Sequence, residues 1–333
     1  MSMQSRGPAL PMEVILLIIA NVVEDPRRIY SSSHVVTKTL LSCIRVCRAT
    51  RLAASNLLRQ HCVYIDDHEQ LQQLIQYLEQ EGQIASDGRG PRYKSITQLY
   101  LSPFGEDIND LSIASAIEQL FKLVHQTLRR LVIDIPLRSI YPEDDEGGVR
   151  RLLRDGFSLL TKLEEFVSVR DELYLNVSER VPSREAKVWT MWPNLRRLAL
   201  YNPVSDPQLW QMVRAMPHLT TLVLTRADGL ESCDMKAEYL HVQTSFHGSS
   251  PRPLRVLIVN TFRFHSITSL MGEGDWLSID PDETMQVSLN DVPVSPGTED
   301  WAIEMCQEWI KQAALKGILW DCQGRRIRGG RAD

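Results

Sequence analysis

One apolar template recurs down the middle of this chain and restricts what it can fold into. It is met as Ile96-x-x-Leu99-x-Leu101, Leu128-x-x-Leu131-x-Ile133, Leu163-x-x-Phe166-x-Ser168, Leu195-x-x-Leu198-x-Leu200, Leu219-x-x-Leu222-x-Leu224 and Leu254-x-x-Leu257-x-Val259, at spacings of 32, 35, 32, 24 and 35 residues. Amphipathic helices are expected between several copies. One uses Ile113, Ile117, Leu120, Phe121 and Val124, and another Leu152, Leu153, Phe157 and Leu160. A third opens at Asp206-Pro207, an N-cap followed by proline at the first helical position, and buries Leu209, Trp210 and Val213. A strand followed by a helix at such a period cannot bury its apolar face alone and must stack on its neighbours. The expectation is an α/β chain whose residues 94–270 form an irregular solenoid with parallel strands; an ordinary α/β sheet is the rival.

In such a solenoid the residue between the last two template positions points to the concave face. That row is Tyr100, Val132, Val167, Ala199, Val223 and Ile258, the candidate substrate-binding residues. An open face should be polar, and this row is mostly apolar. Either the irregular, proline-containing segment 272–297 covers it, which is the favoured expectation, or it is an apolar partner groove. Thr298-Glu299-Asp300 then starts a helix with Trp301, Met305, Cys306, Trp309, Ile310 and Ala313 along one face. With a short strand at Ile318-Leu319-Trp320, residues 271–323 are expected to cap the solenoid end, and 324–333 to be a basic tail.

The N-terminal stretch is of another kind. After a flexible tail over 1–9, Pro11 suits a first helical turn, and Glu13 sits where the helix dipole favours an acid. That helix is expected to run to about Val23. Residues 25–37 read as a polar loop, and from Lys38 a helical stripe follows through Cys43, Val46, Cys47, Thr50, Ala54, Leu57 and Leu58, flanked by Arg45, Arg48, Arg51 and Arg59. Two or three short helices over residues 10–60 make a marginal core, so this module is expected to lean on something else. Residues 61–93 supply a connecting strand and helix ending in a glycine-rich linker.

The formal charge of −5 argues against nucleic acid as the main partner, but it is unevenly spread. Residues 1–64 carry +5 and the rest −10, so the first module prefers an acidic partner surface. The longest apolar run, 14–20, is too short to span a bilayer, and the N-terminus lacks the pattern of a secretory signal. A cytoplasmic or nuclear protein with no membrane partner is expected. The six cysteines sit mostly in apolar patterns and read as reduced core thiols, and the sequon Asn176-Val177-Ser178 as accidental.

Local catalytic signatures are missing. Gly147-Gly148 and Gly272-x-Gly274 lack the context of a phosphate loop, and there is neither a nucleophile elbow nor a His-Glu-x-x-His. Cys43-x-x-x-Cys47 with His61-Cys62 could on paper supply zinc ligands, but the spacing is wrong and core thiols read better. No catalytic residue, metal or cofactor is assigned. The run Arg325-Arg326-Ile327-Arg328 with Arg331 could be a nuclear signal or polyanion contact, and reads rather as a solvated tail.

Leu10-Pro11-x-Glu13-Val14 with Ile18 and Ile19 behind it, then Leu40-Leu41, Val46-Cys47-Arg48, Arg51 and Ala54, resembles an F-box. The whole layout is similar to F-box proteins of filamentous fungi, with a leucine-rich-repeat-like C-terminal half. The likeness covers about 50 residues and departs from the family in two places. The connection over 25–37 is longer, and Arg51 or Leu52 stands where an aromatic is common.

The resemblance implies a three-helix module that binds an acidic Skp-type adapter through Leu10, Pro11, Ile18, Val46, Cys47 and Arg48, and through it a cullin/RING ubiquitin ligase. The C-terminal half would then recruit a protein substrate. It implies a non-catalytic receptor; the alternatives are an F-box-like scaffold acting outside any ligase and an unrecognised α/β enzyme.

Overall fold

A computed structural model describes residues 10–84, 96–177, 185–241, 251–261, 276–294 and 301–327. The expected tail over 1–9, most of the linker after Gly82, Thr298-Glu299-Asp300, and Arg328 with Arg331 lie outside these residues.

Three helices come first: α1 (Met12–Ala20), α2 (Val35–Ile44) and α3 (Arg48–His61). The stripe expected from Lys38 onward is thus split in two by a turn at 45–47, where Cys47 becomes the N-cap of α3 and Thr50 Oγ1 accepts from its backbone N–H at 3.1 Å. The remaining elements alternate. They are β1 (Tyr64–Ile65), α4 (His68–Ile84), β2 (Gln98–Leu101), α5 (Leu111–Val124), β3 (Arg130–Ile133), α6 (Val149–Ser158), β4 (Glu165–Ser168), β5 (Arg197–Tyr201) and α7 (Pro207–Ala215). Then follow β6 (Thr221–Thr225), α8 (Met235–His241), β7 (Leu254–Thr261), α9 (Trp276–Ile279), β8 (Met285–Val292), α10 (Ala302–Leu315) and β9 (Arg325–Ile327).

All nine described strands form one open sheet in sequence order, parallel from β1 to β8 and closed by antiparallel β9. Each parallel step requires a crossover, and helices α4 to α8 supply crossovers that bury their apolar stripes on one face. Asp110 and Asp206 cap α5 and α7 by accepting backbone N–H groups at 2.7 to 3.1 Å. On this face lie Leu99, Leu131, Phe166, Leu198, Leu222, Val256 and Val287, with Phe157, Phe166 and Trp192 packed edge to face.

Tyr100, Val132, Val167, Ala199 and Val223 occupy one register row on the opposite face. Ile258 does not belong to it. The partner of Val223 is Leu257, while Ile258 pairs with Leu224 and joins the helix-side core. The template in β7 fits two frames because both of its faces are apolar, and the sheet takes the one that is shifted by one residue, with Val256 and Ile258 on the helix side.

Further expectations need correction at the C-terminal side. Within 272–297, residues 285–292 are not irregular: Met285, Val287 and Leu289 alternate inward and extend the sheet as β8. The cover of the second face is α10 rather than that segment. Cys306, Ile310, Ala313, Ala314 and Leu315 pack on Val132, Val167, Ala199, Val223 and Leu257, so the helix lies across the sheet instead of capping its end. Ile318-Leu319-Trp320 is not a strand, since Leu319–Asp321 is a 3-10 turn. Part of the expected tail, Arg325–Ile327, is the edge strand β9, where Arg326 pairs with Glu283 at 2.5 Å.

Polar anchors fix α10 in place. Asp134 accepts from Arg170 Nε at 2.6 Å, Lys311 Nζ at 3.0 Å and the Tyr100 hydroxyl at 3.1 Å. Trp320 Nε1 donates to Glu165 at 2.8 Å, and Arg255 donates to the Trp320 carbonyl at 2.7 Å. The buried Arg130 donates to the carbonyls of Ala314 and Arg27.

Residues 25–30, inside the long connection between α1 and α2, join this arrangement. Ile29 N–H donates to the Leu315 carbonyl at 2.9 Å, its side chain enters the core under α10, and Arg27 pairs with Asp321 at 2.6 Å. Gln98 Nε2 donates to the carbonyls of Pro26 and Arg28, both at 3.3 Å. The connection is a strap between the three-helix module, the sheet and α10.

Candidate docking face

The sequence of α1, MEVILLIIA, has one charged residue and is apolar on every side. A helix of that kind is ordinarily buried all round. Here only Ile19 is buried, against Tyr30, Val36, Leu40 and Ala54, with Ile15, Leu57, Leu58 and Cys62 partly covered around them. Pro11 starts the helix, its carbonyl accepting from Val14 and Ile15 at 3.1 and 3.2 Å. The outward side is left apolar: Leu17 is 64% exposed and Ile18 55%, with Leu10 at 61% just before the helix.

The turn between α2 and α3 adds a second exposed group. Val46 is 73% exposed, with Leu41 and Leu52 exposed on either side in sequence. Arg45, Arg48 and Arg51 surround it in sequence, and none forms an ion pair among the described residues. Arg51 Nε donates to the Ile44 carbonyl at 3.3 Å. Hydrogen bonds from Thr50 hold the Cys47 thiol below its usual pKa.

Of the residues assigned to adapter contact, Leu10, Pro11, Ile18, Val46 and Arg48 are exposed, and Cys47 is half-buried. All belong to one module in which α3 packs on both α1 and α2. Leu17, Val35, Leu41 and Leu52 are equally outward and were missed. The signal for Leu17 was available, because α1 has no polar side on which to place it. The groove set stands differently. Tyr100, Val132, Val167, Ala199 and Val223 are together, but each is at most 1% exposed beneath α10, and Ile258 is on the other face.

Elsewhere the buried charges close loops. Arg150 is fully buried and donates to the carbonyls of Leu137, Ile140, Tyr174 and Asn176 at 2.6 to 2.8 Å. Burial, with Glu172 beside it, pushes the Asp171 carboxyl up to about 7. Both of its oxygens accept backbone N–H groups, from Leu137, Leu173 and Tyr174, so it fastens the turns after β3 and β4. Among the described residues no three His, Cys, Asp or Glu side chains are grouped to hold a metal, and no helix is long and apolar enough to cross a membrane.

No family model matches the chain, and no curated protein matches it.

Proposed function

We propose that this protein is the substrate-recruiting subunit of an SCF-type ubiquitin ligase, its N-terminal module holding a Skp-type adapter. The observation that carries this reading is α1, an all-round apolar helix that buries only Ile19 and leaves Leu17 and Ile18 in water. Each aliphatic fully buried by a partner contributes roughly 1.5 to 3 kcal/mol, so a few suffice for a stable interface. The unpaired Arg45 and Arg48 beside Val46 suit the acidic surface that the F-box resemblance implies, and would speed and orient encounter. The sequential parallel order of β1 to β8, with the crossover helices on one face, supports reading the rest as a leucine-rich-repeat-like solenoid.

The strap favours a second reading, a scaffold outside any ligase, because it spends the module's extra connection on the sheet rather than on a partner. Co-expression with a Skp-type adapter and a cullin, followed by size-exclusion chromatography, separates the two. The ligase reading expects all three to co-elute, and Leu10→Ala with Val46→Ala to weaken adapter capture at least about tenfold while the circular dichroism spectrum stays unchanged. Undiminished capture by that double variant would remove the assigned face, and adapter binding without cullin would favour the scaffold.

A further inference from the structure

The edge of the sheet where its strands begin has a charge character of its own. Successive turns into β3, β4, β5 and β6 carry the doubled residues Arg129-Arg130, Glu164-Glu165, Arg196-Arg197 and Thr220-Thr221, and β7 adds Arg255 in the same row as Arg130 and Arg197. With Lys162 this makes six cations against two carboxylates, on a chain whose net charge is −5. A cavity of about 470 Å3 opens here, lined by Glu164, Glu165, Arg196, Arg197, His218 and Thr220, with Pro217 beside them.

The two carboxylates are not equally available. Glu165 is engaged three times, by Arg197 Nη1 at 2.7 Å, Trp320 Nε1 at 2.8 Å and Arg130 Nε at 3.4 Å. Among the described residues the Glu164 carboxylate meets only Arg129, at 3.5 Å. The side chains of Arg196 and His218 have no partner among the described residues, while the Arg196 backbone is fixed on both sides, its N–H to the Glu164 carbonyl and its carbonyl to Thr220. The same row already reads peptide groups, since Arg130 and Arg255 hold the carbonyls of Ala314 and Trp320.

We propose that this cavity seats an acidic peptide segment of the recruited protein, with Arg196, and the N–H groups of Arg197 that Glu165 does not hold, on a side-chain carboxylate. The inference rests on the recruiting reading above and names the substrate chemistry for it. A guanidinium pair suits a planar carboxylate, and such charge-assisted bonds are the strong ones. A continuous polyanion fits less well. The Glu164-Glu165 pair stands between the two arginine pairs and would meet each phosphate passing from one to the other, and no Phe, Tyr or Trp is among the described residues lining the cavity. The second face of the sheet offers no competing seat, because α10 fills it.

Fluorescence anisotropy on the full chain without adapter tests this, using a fluorescein-labelled decapeptide of alternating Glu and Ala, its Lys/Ala counterpart and a phosphoserine/Ala version. The expected result is binding of the Glu peptide, weakened by raising salt, with Arg196→Ala costing about tenfold and Arg196→Glu reversing the preference toward the Lys peptide. Arg196 is exposed and its side chain has no hydrogen-bond or ion-pair partner among the described residues, so these variants keep the fold, which circular dichroism checks. Equal affinity for Glu and Lys peptides, an unchanged Arg196→Ala, or binding of the phosphoserine peptide alone would overturn the carboxylate seat. Because adapter is absent, loss of peptide binding with intact adapter capture fails this inference alone, and the converse fails the docking reading alone.

Discussion

Helix α1 and the row Val132, Val167, Ala199 and Val223 are both apolar enough to demand cover, and they are treated in opposite ways. The strand row is sealed by α10 from the same chain, its members at most 1% exposed. No described residue covers the outer side of α1, and Leu17 and Ile18 stand more than half exposed. Nearly half of the large apolar side chains that are exposed among the described residues lie between Leu10 and Leu52. Apolar surface alone therefore does not mark a site. What marks a candidate is apolar surface that no described residue covers, and by that measure the strand row is structure and the outer side of α1 is the candidate.

The sharpest test sets one isoleucine against another. Ile310→Ala, in the sealed row's cover, should cost about 2 to 5 kcal/mol in urea unfolding, whereas Ile18→Ala should stay within about 0.5 kcal/mol. Equal losses would erase the distinction between the two surfaces.

Gly317 comes next. It sits at φ +74°, and a Cβ there would lie 2.8 Å from both the Cβ and the carbonyl oxygen of Arg27. Gly317→Ala should cost about 1 to 3 kcal/mol, because the left-handed backbone and the contact with the strap are both violated. An unfolding midpoint equal to wild type would mean that the strap does not bear on α10.

A smaller effect concerns pH. Burial alone would raise the Asp134 pKa, but Arg170 and Lys311 outweigh it and hold the carboxyl below its ordinary value of 3.8. Its contribution is then present above the unfolded pKa and is lost as pH falls through the folded one. Lys311→Met should raise the folded pKa and move the acid-unfolding midpoint upward, with a stability loss on the order of 1 kcal/mol at neutral pH. A midpoint that does not move would show that Lys311 contributes no charge to the anchor. Least of all, Arg27→Ala should change stability by less than about 0.5 kcal/mol, since both it and Asp321 are about half exposed. A larger loss would place more of the strap's hold in that exposed pair than in the buried contacts of Ile29 and Gln98.

Much of the sheet was legible because its leucines recur at positions that alternate sides. Where both sides of a strand are apolar that signal loses its phase, and at β7 the frame slipped by one residue, placing Ile258 for Leu257. Strand β8 was hidden by the prolines and acids around it, although Met285, Val287 and Leu289 alternate. Strand β9 reads as a basic tail because an edge strand needs no apolar residue on its outer side. The amphipathic stripe of α10 was visible, but a stripe says that a helix is covered and not what it covers. The length of the 25–37 connection is plain in the sequence and its use is not, since Ile29 and Arg27 find their partners, Leu315 and Asp321, through tertiary contact alone. On the candidate docking face, the sequence singles out Leu10, Ile18 and Val46, which are exposed, while Arg196, without a side-chain partner among the described residues, stands out only once the turns lie side by side.

The strap has a consequence for the order in which the molecule is made. Arg27 and Asp321 are 294 residues apart, and Ile29 waits for Leu315. During synthesis at roughly 5 to 20 residues per second, the strands can pair one after another as they emerge, but the row from Tyr100 to Leu257 stays wet until α10 arrives. For roughly 3 to 12 seconds, while the 58 residues from Leu257 to Leu315 are made, a nascent chain has this apolar strip uncovered and the strap held by the sheet alone. Chaperone dependence should therefore peak just before residue 300 is translated, and a ribosome stalled there would hold a nearly complete sheet with no lid.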